Sequence, residues 1–172
     1  LFTLATPSSD MEIGMEVNPG EASYENLQAY RSLGVNRISI GMQSFQPRLL
    51  KFMSRIHSVE KSYETFNDVR RAGFTNISGD LIFAVPGQTR QEWLHDLSQL
   101  VELGPEHIST YSLTVEEGTA LHRWVDNGHV KMLEDSLDIG MYAAGRDLLE
   151  AHGYVNYEVS NYSKPGYECR HN

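Results

Sequence analysis

Apolar and polar positions follow two different periods along the chain. In five stretches they alternate at every second residue, as in β-strands whose two faces differ. In the segments between these stretches, apolar residues recur every three or four positions, as in helices that bury one side. The predicted strands are 11–17, 36–45, 77–84, 107–114 and 154–162, and the predicted helices are 21–33, 47–53, 59–72, 90–103, 116–128 and 133–152.

The order of these elements predicts the fold class. Strands and helices alternate, and strand starts lie roughly 25 to 40 residues apart, which is typical of βαβ units in a parallel sheet. Most strands have one apolar face and one face of small or polar residues. If helices packed on both sides of the sheet, both faces of the sheet would have to be apolar. A curved sheet, in contrast, can line a cavity with its second face. We therefore predict a single α/β domain whose parallel β/α units form part of an incomplete (β/α) barrel.

An aspartate inside the third strand is the first candidate functional residue. Asp80 lies on the face opposite Ile77 and Leu81, and a carboxylate within a covered sheet needs a partner. Two interpretations are open: a structural aspartate held by backbone groups or an arginine, or a ligand contact. The strand is followed by Thr89 and, three residues later, Glu92, which predicts a capping box at the start of the next helix.

Polar residues recur at or near the carboxyl ends of successive strands. They are Glu16, Gln43, Asp80 and Thr114. The carboxyl ends of parallel strands meet at one mouth, where β/α folds bind their ligands. Any one of these residues could simply form a hydrogen bond at the end of its strand. Together they favour a ligand site, because a few convergent polar groups mark such sites.

Composition excludes some classes of function. The 172 residues include 14 basic and 23 acidic ones, a net charge of −9, which argues against a nucleic-acid-binding protein. No apolar run approaches the ~18 residues of a membrane span, and the one cysteine, Cys169, favours a reducing compartment. We expect a cytoplasmic protein.

The first residue is Leu1 and the last segment lacks a helix stop, so we expect a fragment cut at both ends.

Common catalytic motifs do not occur in this sequence. It lacks GxxxxGK[ST], GxGxxG, GxSxG and HExxH, so a phosphate loop, a dinucleotide fingerprint, a serine nucleophile elbow and a helical zinc motif are not indicated. Cys169 and His171 could bind iron, but one pair at this spacing is a weak signal. We predict no metal site formed by residues of this chain.

Five segments together resemble one family. They are EVNPGE at 16–21, GVNRISIGMQSF at 34–45, GDLIFAVPGQT at 79–89, STYSLTVEEGTAL at 109–121 and YEVSNYSKPGYECRHN at 157–172. In this order they resemble radical S-adenosylmethionine proteins related to oxygen-independent coproporphyrinogen III oxidase, and most closely the HemW branch of haem chaperones. The resemblance implies an incomplete (β/α) barrel that binds S-adenosylmethionine at the open iron of a [4Fe–4S] cluster. By matching positions it implies S-adenosylmethionine contacts at Glu16, Gln43, Arg55, Asp80 and Thr114.

The sequence also departs from the family pattern. The cluster loop CxxxCxxC belongs upstream of Leu1, so we expect the fragment alone to be catalytically inert. Residues 170–172 fall where the haem-chaperone branch has an HNxxYW motif associated with haem binding, and only its first two residues, His171 and Asn172, are present. This makes His171 a candidate haem ligand, although an ordinary loop histidine would also fit.

Three functions remain open at this stage. The first is a haem chaperone that binds S-adenosylmethionine and haem, with a haem-accepting protein as a partner. The second is a coproporphyrinogen III dehydrogenase that decarboxylates its porphyrinogen substrate oxidatively. The third is a barrel that binds another nucleotide-like small molecule without iron. The segments at 111–121 and 164–172 favour the first.

Overall fold

The computed structural model describes Ser8 and residues 10–171. The predicted ends of the fragment, at residues 1 and 172, lie outside this part. Six strands and six helices occur within it. In chain order they are β1 (Gly14–Val17), α1 (Tyr24–Ser32), β2 (Arg37–Gln43), α2 (Pro47–Phe52), α3 (Val59–Arg71), β3 (Ile77–Phe83), α4 (Arg90–Leu103), β4 (His107–Ser112), α5 (Ala120–Asp126), α6 (Asp135–Ala151), β5 (Val155–Glu158) and β6 (Asn161–Ser163).

All six strands belong to one sheet, in the order β1-β2-β3-β4-β6-β5. The first four strands are parallel neighbours, which confirms the α/β class and the predicted parallel β/α units of an incomplete barrel. The register places Ser39 of β2 opposite Ser78 of β3, and Asp80 of β3 opposite Ser109 of β4. Small polar residues of three strands are thereby brought side by side on one face.

The prediction of one continuous strand over 154–162 is wrong. The chain reverses after Glu158, and β5 and β6 form an antiparallel pair, with β6 also antiparallel to β4. Glu158 supports the reversal because its carboxylate accepts hydrogen bonds from the Ser160 amide and the Asn161 side chain. Because β6 runs antiparallel to β4, the residues that follow β6 lie toward the amino end of β4, where His107 pairs with Ser163.

The helices cover the apolar face of the sheet. Alternate β3 residues, Ile77, Leu81 and Phe83, are almost fully buried. Between them, Gly79 lets Leu100 of α4 approach closely, because an added Cβ would lie 2.5 Å from Leu100 Cδ1. No helix in the described part of the chain is long and apolar enough to cross a membrane.

Local signals fix where α4 begins and ends. The capping box predicted for Thr89 and Glu92 is confirmed, since each side chain accepts a hydrogen bond from the other residue's backbone amide. Gly104 ends the helix in the left-handed conformation, with a φ of 74°, which glycine adopts without steric cost. This helix crosses behind β3 and therefore supports the strand that carries Asp80.

Candidate functional site

The face of the sheet opposite the helices lines a cavity of about 420 Å³. Its walls come from all four parallel strands and from the segment that follows β6. The lining residues are Glu12, Gly14, Met15, Glu16, Arg37, Ser39, Ser78, Asp80, His107, Ser109, Tyr111, Cys169 and His171. Most of these residues are polar, in contrast to the apolar face under the helices, so the cavity is suited to a polar ligand.

Asp80 lies in the middle of β3, surrounded by serine hydroxyls. The Ser39 Oγ lies 3.0 and 2.8 Å from the two carboxylate oxygens, and the Ser78 Oγ lies 3.1 Å from one of them. Burial raises the pKa of the Asp80 carboxyl, and hydrogen bonds from Ser39, Ser109 and Ser78 oppose that rise. A negative charge at this position therefore depends on donors, and a ligand that brings hydroxyl or cationic groups would add to them.

Glu16 of β1 and Asp80 of β3 line the same cavity, although β2 lies between their strands. The charge of Glu16 adds a smaller contribution to the burial that raises the pKa of Asp80, so Glu16 disfavours ionisation of Asp80. A bound cation would relieve this repulsion. The arrangement consequently favours a ligand that carries positive charge.

Gln43 ends β2 in a strained conformation. Its φ is 67°, and Ala84, directly after β3, has a φ of 57°, which is uncommon for residues other than glycine. Such strain tends to persist at binding sites, and here it occurs at the carboxyl ends of two adjacent strands. The Gln43 amide turns back over Gly41, where an added Cβ would lie 2.7 Å from Nε2.

Arg55 and Thr114 lie away from the residues that line the cavity. Arg55 lines a separate hollow with Leu50 and Ser58, and its buried Nε has no hydrogen-bond partner within the described residues. Thr114 lies two residues beyond the end of β4 and is exposed, and its hydroxyl donates to Glu116 at 3.1 Å. The structure thus brings together Glu16, Asp80 and His171, and it does not bring Arg55 or Thr114 to them.

The segment after β6 closes the cavity at the amino ends of the strands. Arg37 Nη1 donates to the Tyr167 carbonyl at 3.3 Å, and the Arg170 amide donates to Glu12 at 3.2 Å. Cys169 and the exposed His171 thereby reach the cavity wall. Within residues 10–171, no group of three or more His, Cys, Asp or Glu side chains is arranged to hold a metal ion.

Sequence reasoning missed five cavity residues that the strand periodicity could have identified. They are Ser39, Ser78, Ser109, His107 and Tyr111. Each lies at a period-two position on the polar face of its strand, the same signal that pointed to Asp80. Serine, however, occurs commonly at strand ends and in turns, so a single serine gives little indication of a ligand site.

The fold and the cavity define a class: a partial parallel β/α barrel whose polar face lines a cavity. The comparison with known families assigns the chain within that class. Residues 2–100 match the radical SAM superfamily, and the chain belongs to that superfamily.

Comparison with individual proteins shows which members of the superfamily this chain is similar to. The chain is 38% identical over 167 residues to the heme chaperone HemW of Bacillus subtilis, covering 96% of this chain and 44% of that protein. It is 38% identical over 165 residues to HemW of Escherichia coli, covering 96% and 43%. The chain therefore spans less than half the length of these curated relatives.

The fold is also similar to that of a solved enzyme. Coproporphyrinogen III oxidase (HemN) of E. coli superimposes with a TM-score of 0.79 at 24% sequence identity, covering 92% of this chain and 36% of that chain. At this identity the likeness establishes the fold. It agrees with the incomplete barrel predicted from the strand and helix pattern.

Proposed function

We propose that this chain is the S-adenosylmethionine-binding part of a haem chaperone of the HemW type. The observation that carries the proposal is the identity of 36% to 38% with HemW proteins over 95% or more of the chain. Glu16 and Asp80 are the proposed S-adenosylmethionine contacts that line the cavity, and Gln43, at the end of β2 and outside that lining, is a third. Arg55 and Thr114 belong to the proposed set through the family resemblance alone.

The chemistry of the cavity fits this ligand. S-adenosylmethionine carries a sulfonium and an ammonium cation, which the carboxylates of Asp80 and Glu16 can attract. Its ribose hydroxyls can donate to Asp80, whose pKa burial raises despite the hydrogen bonds from serine hydroxyls. Arg55, in its separate hollow, has a buried Nε without a hydrogen-bond partner among the described residues, and a guanidinium suits a carboxylate. When bound beside a reduced cluster, S-adenosylmethionine supplies radical chemistry, and these residues would hold and orient it.

The residues of this chain do not fit a [4Fe–4S] cluster. Such clusters are held by several cysteine thiolates, and the sequence contains one cysteine. Cluster ligands would therefore come from outside residues 1–172. We expect these residues alone to leave S-adenosylmethionine uncleaved under reducing conditions with added iron and sulfide, and cleavage by them would contradict the proposal.

His171 is the proposed haem ligand. Its imidazole is exposed at the edge of the cavity, on the segment that also carries Cys169, and imidazole is a common axial ligand of haem iron. An exposed position leaves the ring accessible to a planar cofactor. Haem delivered from this position would pass to an acceptor protein, the partner that the HemW type of function requires.

Haem titration of the full-length protein, followed by absorbance, tests the proposal. We expect stoichiometric binding that His171→Ala weakens, while His129→Ala, which removes another exposed histidine, leaves it unchanged. An assay for coproporphyrinogen decarboxylation runs in parallel. Turnover without stable haem binding would contradict the chaperone function and favour the dehydrogenase.

A further inference from the structure

A continuous path of hydrogen bonds connects Asp80 to the segment that carries Cys169. The Ser78 Oγ lies 3.1 Å from Asp80 Oδ1 and 2.8 Å from His107 Nδ1. On the other side of the ring, His107 Nε2 lies 2.7 Å from the Tyr157 hydroxyl. That hydroxyl accepts a hydrogen bond from the Cys169 amide at 3.2 Å. The path crosses three strands and ends next to the proposed haem segment.

The number of available protons determines which group is the donor in each hydrogen bond of the path. Ser78 has one hydroxyl proton. When Asp80 is ionised, Ser78 donates this proton in a hydrogen bond to the carboxylate, so His107 Nδ1 must be the donor in the hydrogen bond to Ser78. His107 Nε2 is then an acceptor, and Tyr157 donates to it. Burial lowers the pKa of His107 to about 3, so the ring is neutral and carries a single proton, as this arrangement requires.

We propose that His107 is a positioning residue that couples the Asp80 site to the placement of segment 167–171. The coupling rests on the proposed function in one respect, that S-adenosylmethionine contacts Asp80. A ligand that donates to this carboxylate competes with Ser78 for its oxygens, and each hydrogen bond along the path polarises the next. Thermodynamic linkage makes the effect reciprocal, so a change in the segment alters ligand affinity by the same factor.

The path shares control of the segment with other contacts, among them the hydrogen bonds from Arg37 to the Tyr167 carbonyl and from the Arg170 amide to Glu12. Arg170 pairs with Asp10, but the two side chains are 62% and 70% exposed, and exposed ion pairs contribute little stability. Cys169 Sγ lies 3.7 Å from Glu12 Oε1, a long contact. His107, by contrast, is 1% exposed, and its hydrogen bond with Ser78 is buried, whereas that with Tyr157 is part-buried.

Hydrogen exchange of the Cys169 amide in the full-length, cluster-loaded protein tests the coupling. We expect S-adenosylmethionine to change the exchange rate of this amide at least about threefold, since one hydrogen bond contributes roughly that factor or more. Tyr157→Phe and His107→Gln should each abolish the change and shift the Kd for S-adenosylmethionine about two- to tenfold. Tyr154→Phe is the control, because its hydroxyl donates to the Pro105 carbonyl, away from the cavity.

The outcomes separate this inference from the proposed function. An exchange response that survives in Tyr157→Phe as fully as in Tyr154→Phe overturns the coupling. If the wild-type protein binds no S-adenosylmethionine, the proposed function fails instead. The ¹⁵N shifts of the His107 imidazole then still decide the direction of the path: a protonated Nδ1 supports it, and a protonated Nε2 contradicts it.

Discussion

Replacing Gly79 by alanine tests the contact that places β3 against α4. An added Cβ would lie 2.5 Å from Leu100 Cδ1, 3.0 Å from Cδ2 and 3.3 Å from Cγ. Leu100 is completely buried within the hydrophobic core, so a shift of its side chain disturbs the residues packed around it. Overpacking of this kind costs about 1–3 kcal/mol, and the reduced freedom of the unfolded chain returns about 0.4–1 kcal/mol.

We therefore expect Gly79→Ala to lower the free energy of unfolding by about 1–2 kcal/mol. For a domain of this size the melting temperature should fall by about 2–8 °C. The assay is thermal and urea unfolding of the full-length protein, followed by circular dichroism. Gly140→Ala is the matched control: it lies in α6 with nothing within 4 Å of an added Cβ, and alanine should stabilise the helix by up to about 1 kcal/mol.

A double-mutant cycle makes this test sharper. Leu100→Val replaces the two δ-methyl groups that crowd the added Cβ by γ-methyl groups closer to its own backbone, so it should cost less in the Gly79→Ala background than in the wild type. The reasoning is refuted if Gly79→Ala is as stable as Gly140→Ala. It is refuted equally if the costs of Gly79→Ala and Leu100→Val are simply additive.

Three further perturbations concern single residues. Asp80→Asn should stabilise the fold at neutral pH. Because burial raises the pKa of Asp80 in the folded state above 3.8, the wild type loses stability as the pH rises from 3.8 through the folded-state pKa. Urea titrations from pH 3 upward should show the stability difference between the variant and the wild type growing and then levelling off. Glu106→Gln should cost about 1–3 kcal/mol, because Glu106 accepts two hydrogen bonds from Arg70 at 3.0 and 3.1 Å; an unchanged urea midpoint would contradict this. Thr89→Ala should cost about 1 kcal/mol through loss of the capping box, and equal melting temperatures would contradict that.

The parallel part of the fold could be predicted because its signals are local. Alternation along β1 to β4 and the spacing of apolar residues in the helices each depend on only a few neighbouring residues. The predicted α4 agrees with the structure at both ends, where Thr89 and Gly104 provide strong cap signals. The same alternation placed Glu16 and Asp80 on the polar face that lines the cavity.

The remaining features depend on contacts between distant residues. The turn between β5 and β6 has no glycine or proline and is held by the Glu158 carboxylate, so the local sequence reads as one strand. Alternation gives the face of Ser39 and Ser109, but not the register that places both next to Asp80. The return of Cys169 and His171 to the cavity follows from the antiparallel direction of β6, which the pattern did not predict.

Calorimetry of S-adenosylmethionine binding to the full-length, cluster-loaded protein tests the central claim most directly. The informative pair is Asp80→Asn and Asp96→Asn. Asp96 is also buried with a raised pKa, but its partners are Ser44 and Gln46, at 2.5 and 2.9 Å, and it does not line the cavity. We predict that Asp80→Asn weakens binding at least about tenfold while Asp96→Asn binds like the wild type. Equal affinities of the wild type and Asp80→Asn would contradict the assignment of this cavity as the S-adenosylmethionine site.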